Sequence, residues 1–394
     1  MNRTKVSLAL LIGLFSLSAN AFTFVPACIN TYLPTVNKYG ERFFLDSTNR
    51  NKGIENPAQL KIVSQNFENL GEFKEYSRIK TVDANGEVKN VKVEKTIEKT
   101  HGQNLRMAAR LRNQNPDIII GMEVKDIEAA QKFSKEYLND DYQAILIEGN
   151  DERGIDVCYF VKRTLNFDFE VQSHRKYSLT NQENDPVFSR DLPVLLVRPA
   201  GASKYSKPIM ALLASHLKSQ IGGGKKPKPG EEPKPDKTVI KRTEQAQASV
   251  EIMNMLKEKY PGIPIVMGGD FNNDIRVAPE FAAFYTAGLA DALNFDKNPL
   301  KLEDRFSQYY FKLNEKTPDP WDSELIAAQL DAMMVNPEFA KFILAAGIQR
   351  DVRPDGTESL MPTKPDQVNK RASDHDGMYL VVDLVAMLKQ LISN

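Results

Sequence analysis

The stretch Ile265-Val266-Met267-Gly268-Gly269-Asp270-Phe271-Asn272 decides the reading of the fold. It opens on a short apolar run of the kind a buried strand requires, and an acid and an amide follow at the end of that run. The arrangement recurs along the chain. Ile62-Val63-Ser64-Gln65 leads to Asn66, Ile118-Ile119-Ile120-Gly121-Met122 to Glu123, and Leu212-Leu213-Ala214-Ser215 to His216. Arg371-Ala372-Ser373-Asp374-His375 precedes a last apolar run, Tyr379 to Val382. A single Asp or Asn after a strand is usually a turn or a helix cap. Their joint occurrence means more, because buried strands deliver their ends to one sheet edge. Carboxylates, amides and imidazoles gathered there can hold a hard cation and a phosphate.

Working outward, Val157 to Val161, Val194 to Val197 and Met333-Met334-Val335 also read as strands. Helical stretches lie between: Leu105 to Arg112, ended by Asn115-Pro116, then Ile127 to Leu138. In a third, Gln245 to Lys259, the residues Ala246, Val250, Met253 and Leu256 form one stripe before Pro261-Gly262. Strands spread along the chain with helices among them predict an α/β sandwich rather than a string of separate domains. Two segments read as insertions. Residues 81–103 are polar and charged, with an Asn85-Gly86 hairpin signal. Residues 221–237 carry Gly222-Gly223-Gly224 and then alternating Lys and Pro, a composition that cannot bury enough apolar surface to order itself and predicts a mobile loop.

At the N-terminus Arg3 and Lys5 precede an apolar run from Leu8 to Leu17, and Ala19-Asn20-Ala21 has the small-x-small pattern of a cleavage site. The run is too short to span a bilayer. Residues 1–21 therefore read as a signal peptide cleaved near Ala21, 22–59 as an N-terminal extension and 60–394 as a catalytic domain. A secreted or periplasmic monomer without stable membrane insertion is expected. Of the two cysteines, Cys158 lies in an apolar run and reads as a small buried hydrophobe; an oxidising compartment would permit a bridge to Cys28. The formal net charge is zero, so no global positive field announces a nucleic-acid partner, although a local basic groove stays open. His101 and His174 sit among polar residues and read as surface groups. Trp321, Arg305, Tyr309 and Tyr310 weigh a substrate-side role against loop packing.

Taken together, these motifs resemble those of the endonuclease/exonuclease/phosphatase family. Asn66-Phe67-Glu68-Asn69-Leu70 is similar to its first motif, and Pro116 to Val124, containing Glu123, to its metal-carboxylate motif. Arg153-Gly154-Ile155-Asp156-Val157 resembles a strand that supports the site. Phe188-Ser189-Arg190-Asp191-Leu192-Pro193 and Ser215-His216-Leu217-Lys218-Ser219 resemble the arginine and histidine segments of the deoxyribonuclease type. Gly269-Asp270-Phe271-Asn272, Leu330 to Val335 with Asp331, and Ser373-Asp374-His375 complete the series in order. The resemblance implies a four-layered α/β/β/α sandwich of two mixed sheets. It also implies Mg²⁺ as cofactor, with Mn²⁺ or Ca²⁺ tolerated, held by Glu123, Asp374 and Asn66 as hard oxygen donors. Asp331 would orient His375, which would act as general acid/base or bind the phosphate, Asp270 would align or deprotonate water, and His216, with Asp156 as its partner, would help protonate the leaving oxygen. Asn66, Arg190 and Asn272 would contact the phosphate.

The function so implied is a secreted, divalent-metal-dependent phosphodiesterase, most simply a nuclease acting on DNA or RNA. A sphingomyelinase-like phospholipid phosphodiesterase shares the same residue kit, but one Trp and no aromatic hairpin tip suit a bilayer surface poorly. An inositol-phosphate phosphatase ranks below both. A non-catalytic binding module on the same fold is the alternative of another class, and the full acidic and histidine set argues against it.

Overall fold

A computed structural model describes residues 41–45, 57–82, 88–180, 182, 184–221, 236–313, 323–350 and 371–393. The predicted signal peptide, Cys28, the Asn85-Gly86 turn, nearly all of the 221–237 loop and Trp321 lie outside them.

Two mixed sheets form the centre. In the first, strand Met210–His216 runs parallel to Ile265–Asp270, and Asp331–Val335 lies antiparallel on the far side of Ile265–Asp270. Val194–Pro199, Phe167–Ser173 and Glu41–Leu45 extend it on one edge, and Ala290–Asp291 closes the other. In the second, Gln59–Leu70 runs parallel to Ile118–Val124, flanked by Gly377–Asp383 with Ile343–Gln349 and by Asp156–Lys162 with Tyr142–Leu146. Parallel neighbours need a long crossover. Helix Lys237–Lys259 supplies one, and the segment containing helix His101–Gln114 supplies the other.

Three apolar clusters separate four layers. Between the sheets, Ile62, Ile118, Ile120, Leu212, Val266 and Met333 interdigitate. Ala246, Ile252, Met253 and Leu256 of helix Lys237–Lys259 cover the outer face of the first sheet. Met107, Ala108 and Leu111, with Ala130 and Phe133 of helix Ile127–Tyr137, cover the second. This is the expected α/β/β/α sandwich. Burying a side chain such as Leu212 or Ile120 contributes roughly 1.5–3 kcal/mol each. Among the described residues no helix is long and apolar enough to cross a membrane.

Several boundaries differ from the sequence reading. The helix expected at Leu105 to Arg112 begins at His101, because Thr100 and Gln103 form a reciprocal capping box. The helix expected at Gln245 to Lys259 begins at Lys237, capped by Asp236. The predicted hairpin has longer arms than residues 81–103 allow: Glu72–Val82 pairs with Val88–Glu98 as a separate two-stranded sheet. Glu41–Leu45, within the stretch read as an extension, adds an edge strand. Its Glu41 carboxylate accepts from Arg175 at 3.0 Å. Cys158 is fully buried.

Candidate active site

Strand register assembles the site. His216 pairs with Asp270 across the parallel ladder, and Asp270 with Asp331 across the antiparallel one, so three candidate site residues stand in a row at one end of the sheet. On the facing sheet, Asn66 stands where the regular parallel pairing of Gln59–Leu70 with Ile118–Val124 breaks off, and Glu123 lies in the interrupted stretch of the second strand, one residue before its end. The carboxyl ends of parallel strands are where α/β sheets bind ligands. Glu123 and Asn272 adopt left-handed backbone, with φ of 60° and 57°. For non-glycine residues this costs on the order of 1–3 kcal/mol and is typical of sites where a side chain is held to a task.

Asn66 ties the sheets together. Its Nδ2 donates to Glu123 Oε1 and to Asp270 Oδ2, each at 3.2 Å, while its Oδ1 accepts the Glu68 backbone N–H at 2.8 Å. In this arrangement the Asn66 oxygen accepts the Glu68 amide, and its N–H groups face the two carboxylates. The Ser373 hydroxyl donates to the Asn66 carbonyl at 2.8 Å, which fixes the Ser373-Asp374-His375 turn against it.

His375 is held on all sides. Nδ1 lies 2.6 Å from Asp331 Oδ2, the pairing that the sequence resemblance implied. Nε2 lies 3.1 Å from Gln308 Nε2 and 3.9 Å from both Asp270 Oδ2 and Asp374 Oδ1. Burial pulls the imidazolium down, but Asp331, Asp374 and Asp270 outweigh it and raise His375 well above the usual histidine range. Burial raises Asp270 to about 7; Asp331 adds to this and His375 opposes it. Its Oδ1 accepts the Asn272 N–H at 2.7 Å.

His216 behaves differently. Burial, then Arg190, His375 and Arg153, depress it well below the usual range, and its buried Nδ1 has no partner among the described residues. Asp156, expected there, instead accepts the Gly149 N–H at 2.9 Å. The His216 Nε2 lies 3.6 Å from Asp270 Oδ2 and 3.9 Å from Glu123 Oε1. Ligand atoms of Glu123, His216 and Asp270 lie within 4.8 Å of one another, as do those of Asp270, Asp331 and His375. Glu123 is raised by burial and by the Asp374 carboxylate, which is the repulsion a bound cation would relieve.

Arg190 and Asn272 converge on one acceptor. Arg190 Nη1 and Asn272 Nδ2 donate to the Leu217 carbonyl at 3.1 and 2.9 Å, and Arg190 Nε lies 3.4 Å from Asp151 Oδ2. Asp151 also accepts a two-pronged bond from Arg153. His174, read as a surface residue, is buried, its ring bonded to the Leu192 carbonyl. Arg305 and Tyr309 are also buried, Arg305 bonded to Leu300 and Asn294 and Tyr309 beneath the Arg371 guanidinium. The sequence reading missed Gln308 and Arg110. Arg110 donates to the His375 carbonyl at 2.7 Å, and its one signal is a charge among the buried Met107, Ala108 and Leu111. Gln308, a lone amide between Ser307 and Tyr309 with no motif around it, offered none.

A family model described as the Endonuclease/Exonuclease/phosphatase family matches residues 63–281. No curated protein matches the sequence. Solved structures with a similar fold include TDP2 from Caenorhabditis elegans, with TM-score 0.46 and 16% identity over 82% of this chain and 75% of that one. The human Nocturnin catalytic domain gives 0.49 and 13% over 86% and 96%. An endonuclease/exonuclease/phosphatase from Bacteroides vulgatus gives 0.49 and 12% over 83% and 100%.

Proposed function

The chain belongs to the endonuclease/exonuclease/phosphatase family, and from that premise we propose that it is a secreted, divalent-metal-dependent phosphodiesterase that cleaves nucleic acid. The observation that carries the reading is the convergence of Glu123, His216, Asp270 and Asp331 from two facing sheets with His375 from the turn before Gly377–Asp383. Secretion rests on the Arg3–Ala21 signal pattern.

Glu123 and Asp374 are hard oxygen donors suited to Mg²⁺, with the His216 imidazole beside Glu123. A bound divalent ion supplies Lewis-acid charge neutralisation at the phosphoryl and leaving oxygens. The protein's own groups do the rest. Asp270, held near 7 by burial, is matched to taking a proton from water at neutral pH. His375, kept charged by Asp331, faces the phosphoryl oxygens as an imidazolium donor. His216 has no Nδ1 partner among the described residues and acts through Nε2, the nitrogen that faces Asp270 and Glu123, where the leaving oxygen would take its proton. Arg190 and the second N–H of Asn272 clamp the phosphate.

Incubating the purified protein with plasmid DNA, with RNA and with sphingomyelin vesicles, each with Mg²⁺ or with chelator, tests the assignment. Cleavage of a nucleic acid that chelator abolishes is expected. Cleavage of lipid alone would transfer the site to a phospholipid substrate, and no cleavage under any condition would favour a binding module.

A further inference from the structure

One exposed aromatic lies two residues along a strand from a side chain that reaches His375. Strand Gln308–Leu313 pairs with Ser323–Ala328 in a two-stranded sheet of its own, and Gln308 also bridges to the backbone of His375. The Gln308 side chain lies 3.1 Å from His375 Nε2, so the face of the strand that carries Gln308 looks onto the catalytic histidine. Side chains alternate along a strand. Tyr309 therefore points the other way, and it is indeed buried under the Arg371 guanidinium, 4.6 Å from the ring centre. Tyr310 returns to the face of Gln308, about 7 Å further along. It is 51% exposed, although its neighbour is sealed in the core. Isolated exposed apolar residues are common on proteins. An open ring on the strand face whose Gln308 side chain reaches the buried His375 is a more particular placement.

We propose that Tyr310 is a stacking platform for the base next to the scissile phosphate, which directs the site toward unpaired nucleotides. The inference rests on the nuclease reading above and specifies its substrate. A base can lie on an exposed ring only when it has left its own stack, so a single strand fits and a paired duplex does not. Stacking is indifferent to sequence, because every base has a π-face. The ring would hold the strand while Arg190 and Asn272 hold the phosphate.

The test compares single-stranded oligonucleotides, as DNA and as RNA, with abasic strands of equal length. In Tyr310→Ala the preference for the base-bearing strand, measured as the ratio of the two kcat/KM values, should fall about ten-fold, mostly through KM. Tyr310→Phe should keep the preference, because the ring and not the hydroxyl does the stacking. An unchanged ratio in Tyr310→Ala would overturn the proposal, as would an equal loss on both strands, which is the mark of a structural role. Parent protein that cleaves neither strand would remove the nuclease reading, and this assignment with it.

Discussion

Asn66 illustrates what a residue's name reveals and what it conceals. Its place at a strand end beside Glu123 and Asp270 was legible from the apolar runs before each of them. Its orientation was not, because the Glu68 backbone N–H fixes it, and that N–H is aimed by left-handed backbone at Glu68 and Asn69. The same limit applies to His216. Asp156 was a reasonable partner by position, but the Gly149 amide holds it elsewhere. The Asn66 amide separates two carboxylates by donating to both. Asn66→Asp keeps the shape, replaces donors with a third anion and sets like charges together. Turnover is expected to fall about 10–100-fold, the usual cost of losing a group that orients metal ligands. Cleavage rates measured against Mg²⁺ concentration check this, and a parental curve would show that the two bonds do not matter.

At the scale of elements, strands with continuous apolar runs could be read directly because both of their faces are buried. Tyr142–Leu146, Phe167–Ser173 and Ile343–Gln349 were missed. Phe167–Ser173 mixes polar with apolar residues, Tyr142–Leu146 has Gln143 and a short run, and Ile343–Gln349 carries Ala345-Ala346-Gly347, weak strand formers; their strand state is set by pairing partners distant in sequence. The 308–313 and 323–328 hairpin was missed for the same reason. Gly269 couples element to site. It adopts a φ of 153°, and a Cβ there would lie 1.8 Å from the Ser215 carbonyl oxygen. Gly269→Ala must therefore push apart the two strands whose pairing sets His216 against Asp270. A stability loss of at least about 2 kcal/mol is expected, with activity lost alongside. Urea unfolding reads the first, and a parental midpoint would contradict this view of the ladder.

For the molecule as a whole, the four layers followed from the alternation of strands and helices. Which titratable groups end up inside did not. His174 looked like a surface residue, yet burial lowers it to about 4. The folded value lies below the unfolded one, so the unfolded chain binds the proton more readily. The stability His174 contributes is present above about 6.5 and is lost as pH falls towards about 4, by about 3 kcal/mol in total. Asp191 nearby works in the opposite sense: burial raises it to about 7, so its contribution is present at acid pH and is lost as pH rises through that value. The comparison with a variant isolates the histidine. His174→Gln can keep a donor for the Leu192 carbonyl, and its stability should decline less than the parent's between about pH 6.5 and 4. Parallel declines in chemical denaturation would contradict the sign.

The two-sheet site itself is tested most directly by Glu123→Gln, which keeps the acceptor for Asn66 and deletes the charge that Asp374 and Glu68 oppose. The quantity to measure is Mg²⁺-dependent phosphodiester cleavage, with the unfolding midpoint taken on the same preparation. The predicted result is a loss of at least about 100-fold in rate together with a midpoint equal to the parent's or higher, because a buried repulsion is gone. Cleavage at the parental rate would contradict a cation held at Glu123 and, with it, the site assembled here.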